Sequence, residues 1–149
     1  MSASNTFESD VLLLLLNNTN ISNLGDATGV RGSTTAGSVF VALHTADPGE
    51  TGTQATSEAT YTGYARVAVA RSSGGWTISG TAPTQAANAA AVTFGACTAG
   101  SNTITHFSIG DTSSGATKIL LSGALTASLA VSAGITPSFA IGQLTATFD

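Results

Sequence analysis

Few side chains of this sequence could carry out chemistry: it has two histidines, one cysteine and eight carboxylates. Their densest group is His44, Asp47 and Glu50, whose types suit a mixed histidine–carboxylate metal site. Asp47 is followed by Pro48 and Gly49, however, and a tight turn of this kind rarely presets three metal ligands. We therefore expect a turn after Asp47, a solvated Glu50 and no metal ion.

Nucleophilic catalysis has no distinct motif in the sequence either. A reactive serine or cysteine needs a histidine and an acid beside it, and no Gly-x-Ser-x-Gly segment is present. Cys97 has no basic residue nearby, which favours a buried, unreactive thiol. His106 lies beside Phe107 in an apolar segment, so we expect a hydrogen-bonded core or interface histidine. Glycosidases need two opposed carboxylates in a cleft that is usually lined by aromatic rings, and one Trp and two Tyr are few for such a cleft. Since none of these motifs is distinct, we predict no catalytic residue and no cofactor.

The overall composition indicates a part of a larger assembly. Asp, Glu, Lys and Arg make up 8% of the chain, against roughly a quarter in an ordinary soluble domain, while 42% of the residues are apolar. The chain can therefore fold, but it has few charges with which to cover a free surface, so neighbouring proteins are expected to cover much of it. The net charge of −4 argues against nucleic-acid binding.

The apolar run at residues 11–16 is far shorter than the about 20 residues that span a bilayer. It follows Glu8 and Asp10, whereas a secretory signal begins with basic residues. We therefore predict no membrane insertion, no targeting element and synthesis in a cytoplasm.

The same run is expected to lie in an N-terminal helix over residues 6–16. Asn5 followed by Glu8 has the form of a capping box, and asparagines after residue 16 should end the helix. Successive leucines cover every side of such a helix, so one domain cannot bury all of them. A possible oligomer or docking contact is therefore predicted at Leu12, Leu13, Leu15 and Leu16.

After residue 38 the apolar period changes to two, which is typical of half-buried strands. Strands are predicted over residues 38–44, 64–70, 75–79, 90–94, 103–109, 118–122, 129–132 and 143–148. Residues 45–63 have no apolar period and are expected to form an exposed loop. We predict one domain over residues 1–149, an antiparallel β-sandwich of about seven or eight strands preceded by one helix. The expected core is Val39, Val41, Leu43, Val67, Val69, Val92, Phe94, Phe107, Ile109, Leu121, Leu144 and Phe148.

Two segments carry a family resemblance, Leu-His-Thr-Ala-Asp-Pro-Gly at residues 43–49 and Tyr-Ala-Arg-Val at residues 64–67. Further matching segments follow at residues 91–94, 104–107, 123–125, 131–134 and 139–144. In these segments the chain resembles short bacteriophage virion proteins that are commonly labelled tail fibre proteins. The similarity spans nearly the whole chain and departs at Gly95, where the family typically has proline. It implies no catalytic residues; Asp47 is expected to set a turn, and Arg66 to pair with a carboxylate.

Composition and resemblance together predict a non-enzymatic structural component of a tailed-phage virion, associated with the tail or its fibres. Such a protein would be made in the host cytoplasm, bind other virion proteins and form a homo-oligomer. One alternative is a capsid decoration (cement) protein. The other is a carbohydrate-binding or saccharide-degrading module for host recognition, which loss of saccharide breakdown on replacing Asp47 or Glu50 would favour.

Overall fold

A computed structural model describes residues 3–22, 24, 32–80 and 84–148 of the chain. The regular elements within these ranges are α1 (Asn5–Asn17), β1 (Ser38–His44), β2 (Val67–Ala70), β3 (Trp76–Ser79), β4 (Thr84–Asn88), β5 (Val92–Thr93), β6 (Asn102–Gly110), β7 (Ile119–Val131), β8 (Ser138–Phe139) and β9 (Thr145–Phe148). The protein is mainly β with one N-terminal helix and several antiparallel sheets, which confirms the predicted fold class and is consistent with a β-sandwich. In the described part of the chain, no helix is long and apolar enough to cross a membrane.

Helix α1 begins one residue earlier and ends one residue later than the sequence predicts. Its N-cap is Ser4, so the prediction of Asn5 was wrong by one position. Ser4 has extended backbone angles and its hydroxyl accepts a hydrogen bond from the Phe7 N–H at 3.4 Å, which is what a capping oxygen does. Asn18 ends the helix in the left-handed region, at φ 57°, a conformation that asparagine tolerates well.

The chain divides into two compact units, and the first comprises Met1–Ser38, Ala70–Val92 and Phe139–Asp149. Its sheet has the strand order β3-β4-β9, and α1 packs against all three strands. The largest fully buried side chains of this unit are Leu12, Leu16, Trp76 and Leu144, each at most 1% exposed. Burial of one leucine side chain contributes about 1.5–3 kcal/mol, so this contact holds the helix to the sheet.

Arg71 closes the C-terminal end of α1. Its Nε donates to the Leu15 carbonyl oxygen and its Nη2 to that of Leu14, each at 2.7 Å. Carbonyls in the last helical turn have no partner within the helix, and a cation is favoured beside them. One arginine therefore satisfies two backbone acceptors and the negative end of the helix dipole.

The second unit comprises Val39–Val69 and Thr93–Ser138. Its four-stranded sheet has the order β2-β1-β6-β7, in which β6 pairs antiparallel with both β1 and β7. Val41 lies opposite Ile109 in this sheet, and neither side chain is exposed. The apolar alternation of β1 and β6 in the sequence thus reflects a real inward face.

Strand β7 joins the two strands predicted at residues 118–122 and 129–132 into one of 13 residues. It is irregular in two places. At the first place, Ile119 pairs with Gly110 and Leu121 pairs with Ile109, so Leu120 between them has no partner on β6. At the second place, the four residues 125–128 lie opposite the single residue Thr105. The small residues that interrupt the apolar pattern here belong to the strand, which the pattern could not indicate.

Strands β4 and β8, which pair with other strands, were not predicted. In β4 the buried positions are Thr84, Ala86 and Asn88, so its inward face carries no large apolar side chain. Asn88 is held there by hydrogen bonds: its Nδ2 donates to the Ala140 carbonyl oxygen at 2.9 Å, and its Oδ1 accepts from the Leu144 N–H at 2.9 Å. A strand whose core face is polar and small is invisible to hydrophobic periodicity.

The predicted exposed loop over residues 45–63 was also wrong. Gln54, Ala59 and Tyr61 in this segment are buried, with exposed fractions of 0%, 4% and 3%. The Thr45 N–H donates to the Ser57 carbonyl oxygen at 2.8 Å, which folds the segment back on itself. It packs inward because its polar atoms find partners inside the unit.

Most of the predicted core is confirmed. Eight of the expected side chains are buried, namely Val39, Val41, Leu43, Val69, Val92, Phe94, Ile109 and Leu144. Three others, Val67, Phe107 and Leu121, are only half-buried. Phe107 lies opposite Gly123, which offers no side chain to cover the ring from that strand. The Phe148 side chain lies outside the described residues.

Candidate functional site

The second unit encloses a set of polar side chains, His44, Gln54, Glu58, Arg66 and Ser108, which we call the buried polar cluster. His44, Gln54 and Ser108 have no solvent exposure, and Arg66 is 8% exposed. His44 ends β1 and Ser108 lies in β6, and the register of the two strands places them diagonally on one face. The other three members come from the chain between β1 and β2.

Arg66 and Glu58 form the charged half of the cluster. Arg66 Nε donates to Glu58 Oε1 at 2.7 Å and Nη2 donates to Oε2 at 2.8 Å, a two-point contact that matches the planar guanidinium to the carboxylate. The Arg66 side chain is 1% exposed and that of Glu58 is 19% exposed. Hydrogen bonding to Glu58 raises the pKa of Arg66 above its ordinary value. The expected pairing of Arg66 with a carboxylate is confirmed.

The remaining Arg66 hydrogens are also used. Nη1 donates to Gln54 Oε1 at 3.2 Å and to Thr117 Oγ1 at 3.1 Å. Nη1 also donates to the Thr112 carbonyl oxygen at 3.2 Å, and Nη2 to that of Gly115 at 2.7 Å. A single guanidinium therefore connects the segment before β2 with the turn between β6 and β7.

Tyr64 extends the cluster toward β1. Its hydroxyl donates to Glu58 Oε1 at 3.0 Å and accepts from the Leu43 N–H at 3.1 Å. Burial raises the pKa of the Tyr64 hydroxyl, so the group stays neutral and keeps both hydrogen bonds. The ring stacks on Phe94 with 6.1 Å between centroids.

His44 and Ser108 form the uncharged half. The Nδ1 atom of His44 lies 2.8 Å from the Thr56 carbonyl oxygen, so this nitrogen carries the proton. The Nε2 atom, 2.8 Å from Ser108 Oγ, is then the acceptor of the serine hydroxyl. Burial lowers the pKa of His44, which keeps the ring neutral and this arrangement intact.

The carboxamide of Gln54 lies between the two halves. Its Nε2 donates to the Phe40 carbonyl oxygen at 2.9 Å and to Ser108 Oγ at 3.3 Å. It rests against Gly110, where an added Cβ would collide with the carboxamide. Glycine at this position of β6 is therefore what leaves room for the Gln54 side chain.

A serine beside a neutral histidine whose other nitrogen is fixed by an oxygen acceptor can act as a nucleophile. Sequence analysis missed the pair, because His44 and Ser108 are 64 residues apart and serine is too abundant in the chain to stand out. The usable signal was the family resemblance, since His44 and Arg66 fall in its two quoted segments. Because neither side chain is exposed, no external substrate touches the pair in this conformation.

The structure does not bring His44, Asp47 and Glu50 together as ligands. His44 is buried in the cluster, whereas Asp47 and Glu50 are exposed. Asp47 Oδ1 accepts a hydrogen bond from the Gly49 N–H at 2.9 Å, which forms the expected turn. Among the described residues, no group of three or more His, Cys, Asp or Glu side chains could hold a metal ion.

His106 has the expected hydrogen bond, and Cys97 has the expected burial. His106 is half-buried, and its Nδ1 lies 2.9 Å from Thr105 Oγ1. Cys97 is 1% exposed, and its thiol donates to the carbonyl oxygens of Ala99 and Gly100 at 3.4 and 3.5 Å.

The helix leucines divide into two groups. Leu12 and Leu16 are buried in the first unit, whereas Leu13 and Leu15 are half-buried. Phe7, on the same helix, is 42% exposed. The partly exposed residues are therefore the ones that a neighbouring molecule could reach without any change in the helix packing.

A family model described as Podophage GP4 fiber I protein gp80 matches residues 2–147. None of the curated proteins matches the chain. The matched range includes α1, every described strand up to Thr147 and the whole buried polar cluster.

Proposed function

The chain belongs to the family of the podophage GP4 fiber I protein gp80, a phage tail fibre-type protein, and on this basis we propose that it is a non-enzymatic accessory part of a phage tail or its fibres. The family implies a place in the virion among other virion components. The finer assignment, to an accessory position on the tail or fibre, is our proposal.

The observation that carries this proposal is that many polar side chains form hydrogen bonds inside the protein and are not available at its surface. Arg66 is committed to the buried polar cluster and Arg71 to the end of α1. The serine, histidine and glutamine that could take part in chemistry are closed off from solvent. These groups fix the fold, and little charge is left for the outer surface, as in a protein whose neighbours cover it.

We propose that copies of the chain associate and that α1 contributes to a contact. Leu13 and Leu15 keep apolar area that the first unit leaves uncovered, and Phe7 adds to it. Other virion proteins are the expected partners, and no partner is a nucleic acid.

The virion assignment is tested by mass spectrometry of purified particles, in which the chain should be present in a fixed ratio to known tail components. Its absence from particles, or its presence only in tail-less heads, would contradict the tail assignment; the second result would support the decoration-protein alternative.

The helix contact is tested by light scattering on the pure protein. Leu13→Asp and Leu15→Asp should lower the oligomeric state, whereas Thr6→Asp, at an exposed position of the same helix, should not. A wild-type monomer would refute self-association.

The saccharide-binding alternative has one supporting feature. An open groove of about 420 Å³ lies between residues 49–52 and residues 118–122, and Glu50 is the carboxylate in its lining. Two opposed carboxylates are needed for glycoside hydrolysis, and the residues that line the groove include no aromatic ring. Absence of saccharide turnover by the wild-type protein would remove this alternative as a hydrolase, whereas turnover that is lost in a Glu50→Gln variant would favour it.

A further inference from the structure

The buried polar cluster contains every part of an acyl-transfer site, including an amide that could serve as the substrate. The amide is the side chain of Gln54. Its orientation is fixed by its partners, because Arg66 can only donate to Oε1 and the Phe40 carbonyl can only accept from Nε2. Ser108 Oγ accepts a hydrogen bond from Nε2 at 3.3 Å and so lies on the nitrogen side of the carboxamide, whose carbonyl carbon is bonded to that nitrogen.

The nucleophile has its base in place. His44 Nε2 accepts the Ser108 hydroxyl hydrogen at 2.8 Å, and the Thr56 carbonyl oxygen holds the opposite nitrogen at 2.8 Å. This is the relation between nucleophile, base and orienting group that activates serine in acyl transfer.

The carbonyl oxygen that would become negative also has donors. Gln54 Oε1 accepts from Arg66 Nη1 at 3.2 Å and from the Thr117 hydroxyl at 3.4 Å. A charged donor and a hydroxyl at this position stabilise an oxyanion in a site that is closed off from solvent. The donors are held by Glu58 and by the turn between β6 and β7, so they are already oriented.

We propose that the chain cross-links itself by an ester bond between Ser108 Oγ and the side-chain carbonyl carbon of Gln54, with release of ammonia. Ser108 Oγ attacks the carbonyl carbon while its proton moves to His44 Nε2. The tetrahedral intermediate collapses by breaking the bond between that carbon and Nε2, and the leaving nitrogen takes the proton from His44. One hydroxyl and one carboxamide thus give one ester and one ammonia, with no oxidant, reductant or other reactant.

Burial explains why the product would persist. Gln54 and Ser108 have no exposure, so water is kept from the ester that would form between them. The bond would join the segment between β1 and β2 to the middle of β6. It would be an intramolecular covalent cross-link in a chain that cannot form an internal disulfide, because Cys97 is its one cysteine.

Mass spectrometry of the full chain tests the proposal. The intact, denatured wild-type protein should be lighter than its sequence by one ammonia. After trypsin, which cuts at Lys and Arg, Gln54 lies in the peptide that ends at Arg66, and Ser108 lies in the peptide that ends at Lys118. These two peptides should appear as one linked species, and mild alkali should separate them and leave glutamate at position 54.

Two variants locate the reacting groups. Ser108→Ala should restore the full mass and the two separate peptides, whereas Ser122→Ala, at the exposed serine opposite Ser108 on β7, should keep the link. A wild-type chain of full mass refutes the proposal whatever the variants do. Ammonia loss without linked peptides also refutes it, because it would come from cyclisation within one peptide.

Discussion

Replacing Arg66 with methionine should destabilise the second unit more than any other single loss of charge in the described residues. The substitution keeps much of the volume of the side chain but removes both hydrogen bonds to Glu58. Breaking a buried ion pair by removing one partner costs about 3–5 kcal/mol. Glu58 is 19% exposed and can turn partly toward water, which places the expected cost near the lower end of that range.

The hydrogen-bond acceptors that lose Arg66 as a donor determine the minimum loss of stability. Gln54 Oε1 and the carbonyl oxygens of Thr112 and Gly115 each lose a charged donor. An unsatisfied buried acceptor costs about 1–3 kcal/mol, although the turn at residues 112–115 is exposed and its two carbonyls can find water. We therefore expect a loss of about 3 kcal/mol in the free energy of unfolding.

Urea denaturation followed by far-ultraviolet circular dichroism measures this loss. Trp76 belongs to the first unit, so its fluorescence reports most directly on that unit. Arg71→Met is the matched control, since it also removes one arginine but, among the described residues, frees the Leu14 and Leu15 carbonyls and the Ser33 hydroxyl. If Arg66→Met costs less than about 1 kcal/mol, a value typical of exposed ion pairs, the cluster does not stabilise the unit as argued.

Three further outcomes are expected. Phe94→Ala, which removes a side chain that is 3% exposed, should cost about 3–5 kcal/mol of unfolding free energy, whereas Phe7→Ala, at a residue 42% exposed, should cost under about 1 kcal/mol. Because the pKa of His44 is lowered in the folded state, the unfolded chain binds this proton more readily, so stability should be fully present above pH 6.5 and fall as the pH drops below it. Denaturation curves across that range should lose part of this slope in His44→Gln. Asn88→Ala should cost at least about 2 kcal/mol and free the turn after β8, seen as faster amide hydrogen exchange at Leu144, whereas Asn5→Ala, at an exposed position, should leave that exchange unchanged.

The elements that were predictable are those whose inward faces are large and apolar. In β1, Val39, Val41 and Leu43 alternate with other residues, and the observed strand has the predicted bounds. Leucine-rich α1 was found for the same reason, and an error of one residue at its cap is what interchangeable Ser and Asn side chains produce. Strand β4 was not predicted because the side chains of its inward face, which are Thr84, Ala86 and Asn88, are small or polar.

The candidate site could be predicted only in part. The pairing of Arg66 with a carboxylate was expected because Arg66 lies in one of the two segments that carry the family resemblance. The identity of that carboxylate, the burial of Gln54 and the contact of His44 with Ser108 depend on how the segment between β1 and β2 folds back. That folding is decided by side-chain hydrogen bonds between residues far apart in the sequence, which leave no local period.

The two irregularities of β7 bear on how this protein avoids uncontrolled aggregation. β7 is the outermost strand of its sheet, and from Ile119 to Val131 it contains neither a charged residue nor a proline. A straight edge of that kind would recruit strands from other molecules through its open backbone groups. The unpaired Leu120 and the residues 125–128 interrupt the pairing and divide the edge into Leu121–Ala124 and Leu129–Val131, two runs that are each too short to act as a template. A chain with so few charges thus uses backbone irregularity to limit sheet growth at this edge.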